Sequence, residues 1–221
     1  MIFWLYFKKG FQNKRGLSAG FTLVELVVVV AIIGVIFTIL FTRQNTFESR
    51  FRVDDKVYDV VIALRKAQAY TLGVRGYDCS GAKSFPSYGV YFKSTDAGDR
   101  DRFTFFVDQN NNGRFDSPES DSGSCYAETV VLGSPSIDRI CGFTATALRR
   151  CWPPDTGGPR QISITFKRPD PRPTFTFLNQ FGSSMLVYPP VEIYFKYPAQ
   201  VSGEAKITVE HTGQVSVSYV P

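Results

Sequence analysis

Gly20-Phe21-Thr22-Leu23-Val24-Glu25-Leu26 decides how this chain is read. One carboxylate, Glu25, follows the glycine by five residues, and from Leu26 to Thr42 the chain carries no charge. As a helix rising 1.5 Å per residue, the apolar block from Phe21 to Thr42 covers about 33 Å, close to one hydrocarbon core. A carboxylate in such a segment costs roughly 2.5–3.5 kcal/mol on insertion scales. It is tolerated when paired and hydrogen-bonded, and the simplest partner is a positive charge lying in the membrane.

Upstream, residues 1–20 hold Lys8, Lys9, Lys14 and Arg15 and no acid. That asymmetry keeps the leader in the cytoplasm and sends the remainder across. A secretory signal places a small-x-small cleavage site after its apolar run. Here that end reads Ile39-Leu40-Phe41-Thr42-Arg43, with no such site, and the glycine stands before the block instead. The leader also accounts for the pI near 9.0. Without its cations, the 25 basic residues of the chain fall almost level with the 20 acidic ones, so the charge balance does not point to nucleic acid.

Glycine, aromatic-Thr-Leu, Glu and apolar run together resemble the class III prepilin signal of type IV pilins and type II secretion pseudopilins. The resemblance implies cleavage by prepilin peptidase between Gly20 and Phe21 and N-methylation of the new terminus at Phe21. It also implies that Glu25 pairs with the α-amino group of a neighbouring subunit when helices stack in a filament. A plain signal anchor, with Glu25 reaching back to the interface, is the other reading of the same residues. Gly34 inside the span leaves room for close helix packing.

Beyond the membrane the apolar period changes. Phe47, Phe51, Val57, Val60, Val61, Leu64 and Ala67 recur mostly every three or four residues among charged ones, which predicts an amphipathic helix continuing the first. Leu72-Gly73 offers its end, with glycine as cap. From Ser84 onward the pattern alternates. Strands are predicted at 88–92, 102–107, 127–132, 161–166, 174–178, 191–197, 205–210 and 214–219, with a tight hairpin at His211-Thr212-Gly213. The Pro/Gly-rich stretches Trp152 to Pro159 and Arg168 to Pro173 read as surface loops. The segment VYDVVIALRKAQAYTLGVRG and the closing AKITVEHTGQVSVSYV resemble the GspH/FimT pseudopilin-like family.

One segment carries candidate site chemistry. Asp108 to Glu119 fits the calcium-loop pattern D-x-[DN]-x-[DN]-G-x5-E. Its oxygen ligands would be Asp108, Asn110, Asn112, the Arg114 carbonyl, Asp116 and Glu119, with Gly113 at the sharp turn and Phe115 pinning the loop to the core. The same residues also read as an Asn/Gly-rich hairpin tip with solvated side chains. Cys79, Cys125, Cys141 and Cys151 all follow the membrane segment. An even count in a translocated domain points to one or two disulfides, with three full connectivities open and free buried thiols as the alternative. Their spacing matches no zinc pattern. His211, the one histidine, has no nucleophile signature near it, so the chain is not read as an enzyme.

The expected fold is α+β and pilin-like: a long N-terminal helix packed on a C-terminal antiparallel β-sheet head. Its parts are a cleaved leader (1–20), a transmembrane half-helix (21–42), an amphipathic half (43–73) and the β-rich head (84–221). The expected role is a minor pilin or pseudopilin in a type II secretion pseudopilus or type IV pilus. Its partners would be other pilins or pseudopilins, prepilin peptidase and a membrane assembly platform. The expected location is the cytoplasmic membrane, single-pass with the head outside, and then the filament. Calcium is the one cofactor the sequence suggests, and nucleic acid is not an expected partner. A membrane-anchored, calcium-dependent binding module outside any filament is the alternative.

Overall fold

Thr22 caps a helix: its side-chain oxygen accepts the Glu25 N–H at 3.3 Å, and its carbonyl accepts from Leu26 at 3.2 Å. The helix, α1, runs Leu23–Leu72. The computed structural model describes residues 21–79, 82–94, 98–116, 124–133, 135–152, 159–179, 181–197 and 203–220, without side-chain description at 42–53, 79, 82–83, 124–126, 171 and 220. The chain divides into two compact units, Met1–Gln44 and Asn45–Pro221, and α1 contributes to both. The Gly20 side of the cleavage site lies outside the described residues, as do the side chains of Phe47 and Phe51.

Within the second unit, α1 turns Val57, Val60, Ala63, Leu64, Ala67 and Thr71 inward and leaves Tyr58, Ile62, Arg65 and Leu72 exposed. This is the expected three-and-four spacing. The helix stops at Leu72, but the cap differs from a glycine in left-handed conformation. Arg75 N–H bonds to the Tyr70 carbonyl at 3.1 Å and Val74 N–H to Thr71 at 3.4 Å, the paired closure of a Schellman motif. The left-handed residue in it is Val74 (φ 54°), a β-branched residue in a strained conformation. Gly73 is needed for space instead, since a Cβ there would meet the Ala69 carbonyl at 2.9 Å.

The strands follow as β1 (Tyr77–Cys79), β2 (Ala82–Ser84), β3 (Ser87–Lys93), β4 (Arg102–Asp108), β5 (Ser124–Val131), β6 (Ser136–Phe143), β7 (Arg149–Trp152), β8 (Gln161–Lys167), β9 (Asp170–Leu178), β10 (Ser184–Met185), β11 (Tyr188–Lys196), β12 (Glu204–Val209) and β13 (Val215–Val220). β1 and β2 pair as a small hairpin. A six-stranded sheet has the order β10-β9-β8-β3-β4-β5, and a five-stranded sheet the order β13-β12-β11-β6-β7. All pairings are antiparallel. The β head is therefore two sheets, and one apolar core joins them to α1. That core gathers Val60 and Leu64 of α1 with Tyr88, Val90, Phe105 and Ile164 from one sheet and Ile140, Ile193, Phe195 and Ile207 from the other.

Each predicted strand is present within a few residues. Two predicted loops need correction. Asp170 to Pro173 belongs to β9, with Phe166 opposite Pro173 and Lys167 opposite Asp170. Prolines are tolerated there because β10 pairs only with Phe177 and Leu178, leaving this stretch an edge where no N–H is required. Trp152 ends β7, opposite Ile140. Five strands lie outside the predicted set: the short β1, β2, β7 and β10, and the longer β6. In β6 the buried residues Ile137, Ile140 and Cys141 are not spaced by two, because register shifts against β11 break the alternation.

Candidate functional site

Glu25 occupies the first turn of α1, at the third helical position after its cap. Besides accepting the Glu25 N–H, the Thr22 hydroxyl lies 3.5 Å from Glu25 Oε2. The pattern Thr-x-x-Glu is a capping-box spacing, a signal present in the sequence itself. Thr22 therefore fixes where the carboxylate stands. The helix N-terminus beside it carries partial positive charge, which lowers the cost of an acid at this depth. Phe21, whose amine would become the terminus on cleavage, is the residue before the cap.

From Leu23 to Phe41 the helix is long and apolar enough to cross a membrane, and none of that span is buried. Large apolar side chains point outward all round it, including Val24, Val30, Val35, Ile39 and Phe41. Gly34 has open space beside it, and Thr38 spends its hydroxyl on the Gly34 carbonyl at 2.8 Å. Such a surface demands an apolar cover, either lipid or other helices.

The Asp108 loop does not project as a tip. It folds back over the outer face of the six-stranded sheet. Phe115 packs on Tyr91 (centroids 4.7 Å apart) and Phe106 (5.3 Å), its N–H bonds to Ser163 Oγ at 3.0 Å, and Thr176 donates to the Gly113 carbonyl at 2.7 Å. That cover explains why Ser163, Thr165 and Phe106 are buried on a face that alternation turns outward. Phe115 is the anchor expected of it, although it grips the sheet's outer face and not the central core.

Asp108 is nearly wholly buried and accepts the N–H groups of Asn112 (3.2 Å) and Gly113 (2.8 Å). Burial pushes its carboxyl above the usual aspartate range, while those backbone donors oppose the rise. Asn110 and Asn112 side-chain oxygens accept from Asn112 N–H and Arg114 N–H, and Gly113 takes φ +76°. Asp116 receives the Asn112 amide at 2.8 Å. Two carboxylates, two amide oxygens and the Arg114 carbonyl suit calcium chemically. In this arrangement, however, the amide NH₂ groups face Asp116, so the loop satisfies itself through its own donors. Glu119 lies outside the described residues. Among the described residues no group of three or more His, Cys, Asp or Glu gathers as metal ligands.

Cys141 and Cys151 are joined across β6 and β7. The side chains of Cys79 and Cys125 lie outside the description. Beside the disulfide, Tyr194 is 7% exposed on the outer face of the five-stranded sheet, with the Arg139 guanidinium 4.0 Å from its ring. Arg149 (2.8 Å) and Lys206 (3.1 Å) both bond Glu192, and Arg139 grips Glu204 through two bonds of 2.9 and 2.6 Å. Burial opposes ionisation of Glu192, but Lys206 and Arg149 prevail and hold it below the usual glutamate range. The acids and bases pair within the face, which makes it a structural network.

A family model described as the prokaryotic N-terminal methylation motif matches residues 15–41. No curated protein and no solved structure matches the chain. The motif marks a type IV pilin-like or pseudopilin precursor processed by prepilin peptidase. The exposed apolar helix behind it fits a single-pass anchor in the inner membrane.

Proposed function

We propose that this chain is a minor pilin or pseudopilin of the GspH/FimT kind, assembled into a type II secretion pseudopilus or a type IV pilus as a structural subunit. Prepilin peptidase cuts between Gly20 and Phe21, Phe21 becomes N-methylated, and its amine in one subunit pairs with Glu25 of the next. One observation carries this reading: the methylation motif overlaps the Leu23–Phe41 span of α1, none of which is buried, and the single acid of that span is held in the first turn by Thr22. The α1 segment and the β12–β13 hairpin, on which the GspH/FimT resemblance rests, support the finer assignment. Mass spectrometry of the membrane-purified chain tests the processing. Methylated Phe21 is the expected first residue, and a native protein retaining residues 1–20 overturns the proposal. Deleting the gene then separates the two filaments by loss of exoprotein secretion or of pilus-dependent motility.

We infer also that the Asp108–Glu119 loop takes calcium, supported by its oxygen-rich donor set and by the left-handed turn at Gly113. Isothermal titration of the full chain in detergent should show one site, absent in Asp108→Ala. No heat, together with an unchanged melting temperature in excess calcium, removes the inference.

A further inference from the structure

The β8–β9 turn and the β12–β13 turn belong to different sheets, yet the fold brings them to one rim. Between them lies an open hollow of about 430 Å³, lined by Lys167, Arg168, Asp170, Arg172, Thr174 and His211 among others. It sits at the end of the head where α1 stops, because Phe166, just before Lys167, takes the Thr71 hydroxyl on its carbonyl. Three cations face it and one acid. That acid is already committed, since Asp170 accepts from Arg172 Nε at 2.7 Å and from Arg172 N–H at 2.9 Å. Arg168 is held in place by donating to the Phe85 carbonyl at 2.8 Å, with its guanidinium over the Phe85 ring. Lys167 is exposed and meets no acid among the described residues. The hollow thus keeps an excess of two positive charges with His211 neutral.

We propose that this hollow binds a phosphate group. A phosphate carries up to two negative charges and several acceptor oxygens, matching that excess and the forked donors of arginine. Arg168 and Arg172 are pre-positioned by Phe85 and Asp170, so binding orders little beyond the Lys167 side chain. The openness of the hollow admits a terminal phosphate or a phosphodiester passing through. The linear sequence hides the site, because its cations lie 39 to 44 residues before the histidine on the opposite rim.

The test uses the processed chain in maltoside detergent and phosphate-free buffer at low salt, titrated separately with inorganic pyrophosphate and with a short oligothymidylate. Saturable pyrophosphate binding is expected, weakened at least tenfold by Lys167→Glu and by Arg172→Gln. Arg102→Gln, at the far end of β4, should leave it unchanged. Lys167-dependent binding of the oligonucleotide as well identifies a phosphodiester as the natural source, and binding of pyrophosphate alone identifies a small phosphate compound. No saturable binding of either probe, or binding indifferent to Lys167→Glu in a variant with wild-type melting temperature, overturns the proposal.

Discussion

Glu25 can act in two ways, and two substitutions separate them. As part of a capping box it contributes to the first turn of α1, an effect worth about 0.5–2 kcal/mol. As the partner of a neighbour's amine it belongs to an ion pair shielded from water. Removing one member of such a pair costs about 3–5 kcal/mol. Glu25→Gln keeps the side-chain shape and the capping oxygen but loses the charge, whereas Glu25→Val loses both. The Thr22 hydroxyl at 3.3 Å from Glu25 N–H remains in either variant. If charge pairing drives assembly, Gln should fall almost as far as Val. At 1.4 kcal/mol per decade, incorporation then drops by roughly 100- to 4,000-fold. The assay is the ratio of subunit in sheared filaments to subunit in the membrane fraction, with Phe21 methylation confirmed for each variant. Incorporation of Glu25→Gln within about threefold of wild type would refute the pairing and leave Glu25 a capping residue.

Three further outcomes follow from the head. The buried Thr71 hydroxyl accepts Tyr88 N–H at 3.3 Å and donates to the Phe166 carbonyl at 3.1 Å, closing the last rung between β3 and β8. Thr71→Val orphans both groups and should cost about 2–4 kcal/mol, while Thr71→Ser restores most of it, as read by thermal melts. Val74→Gly should stabilise by about 1 kcal/mol by relieving the left-handed strain, whereas Gly73→Ala destabilises through its contact with the Ala69 carbonyl. Because Glu192 and Glu204 titrate below the usual glutamate value when folded, their stabilisation is complete above about pH 4.5 and is lost as pH falls through their folded values. In Glu192→Gln the acid-induced fall in melting temperature should be shallower than in wild type, and an unchanged profile contradicts the Arg149–Glu192–Lys206 network.

The membrane helix, its acid and the strand periods were legible from one-dimensional pattern, since a lipid-length apolar run and a two-residue alternation each encode their own environment. Thr22 was legible in principle, as a residue three before a glutamate at a helix start. β6 was not, because the bulges that pair it with β11 erase the alternation by which a strand is recognised. The prolines of β9 read as a loop until its neighbours showed that edge of the sheet to be unpaired.

Local order in the chain determined that Phe21 to Thr42 seeks an apolar medium, that one acid, Glu25, stands at the start of that run, and that a β-rich head follows. Only the tertiary structure decided that the head is two sheets, that the Asp108 loop closes over one of them through Phe115, and that Lys167 and His211 share a rim. Burial and periodicity are properties of neighbours in sequence. Which turn meets which depends on strand order and register, and these are settled by contacts between residues far apart along the chain.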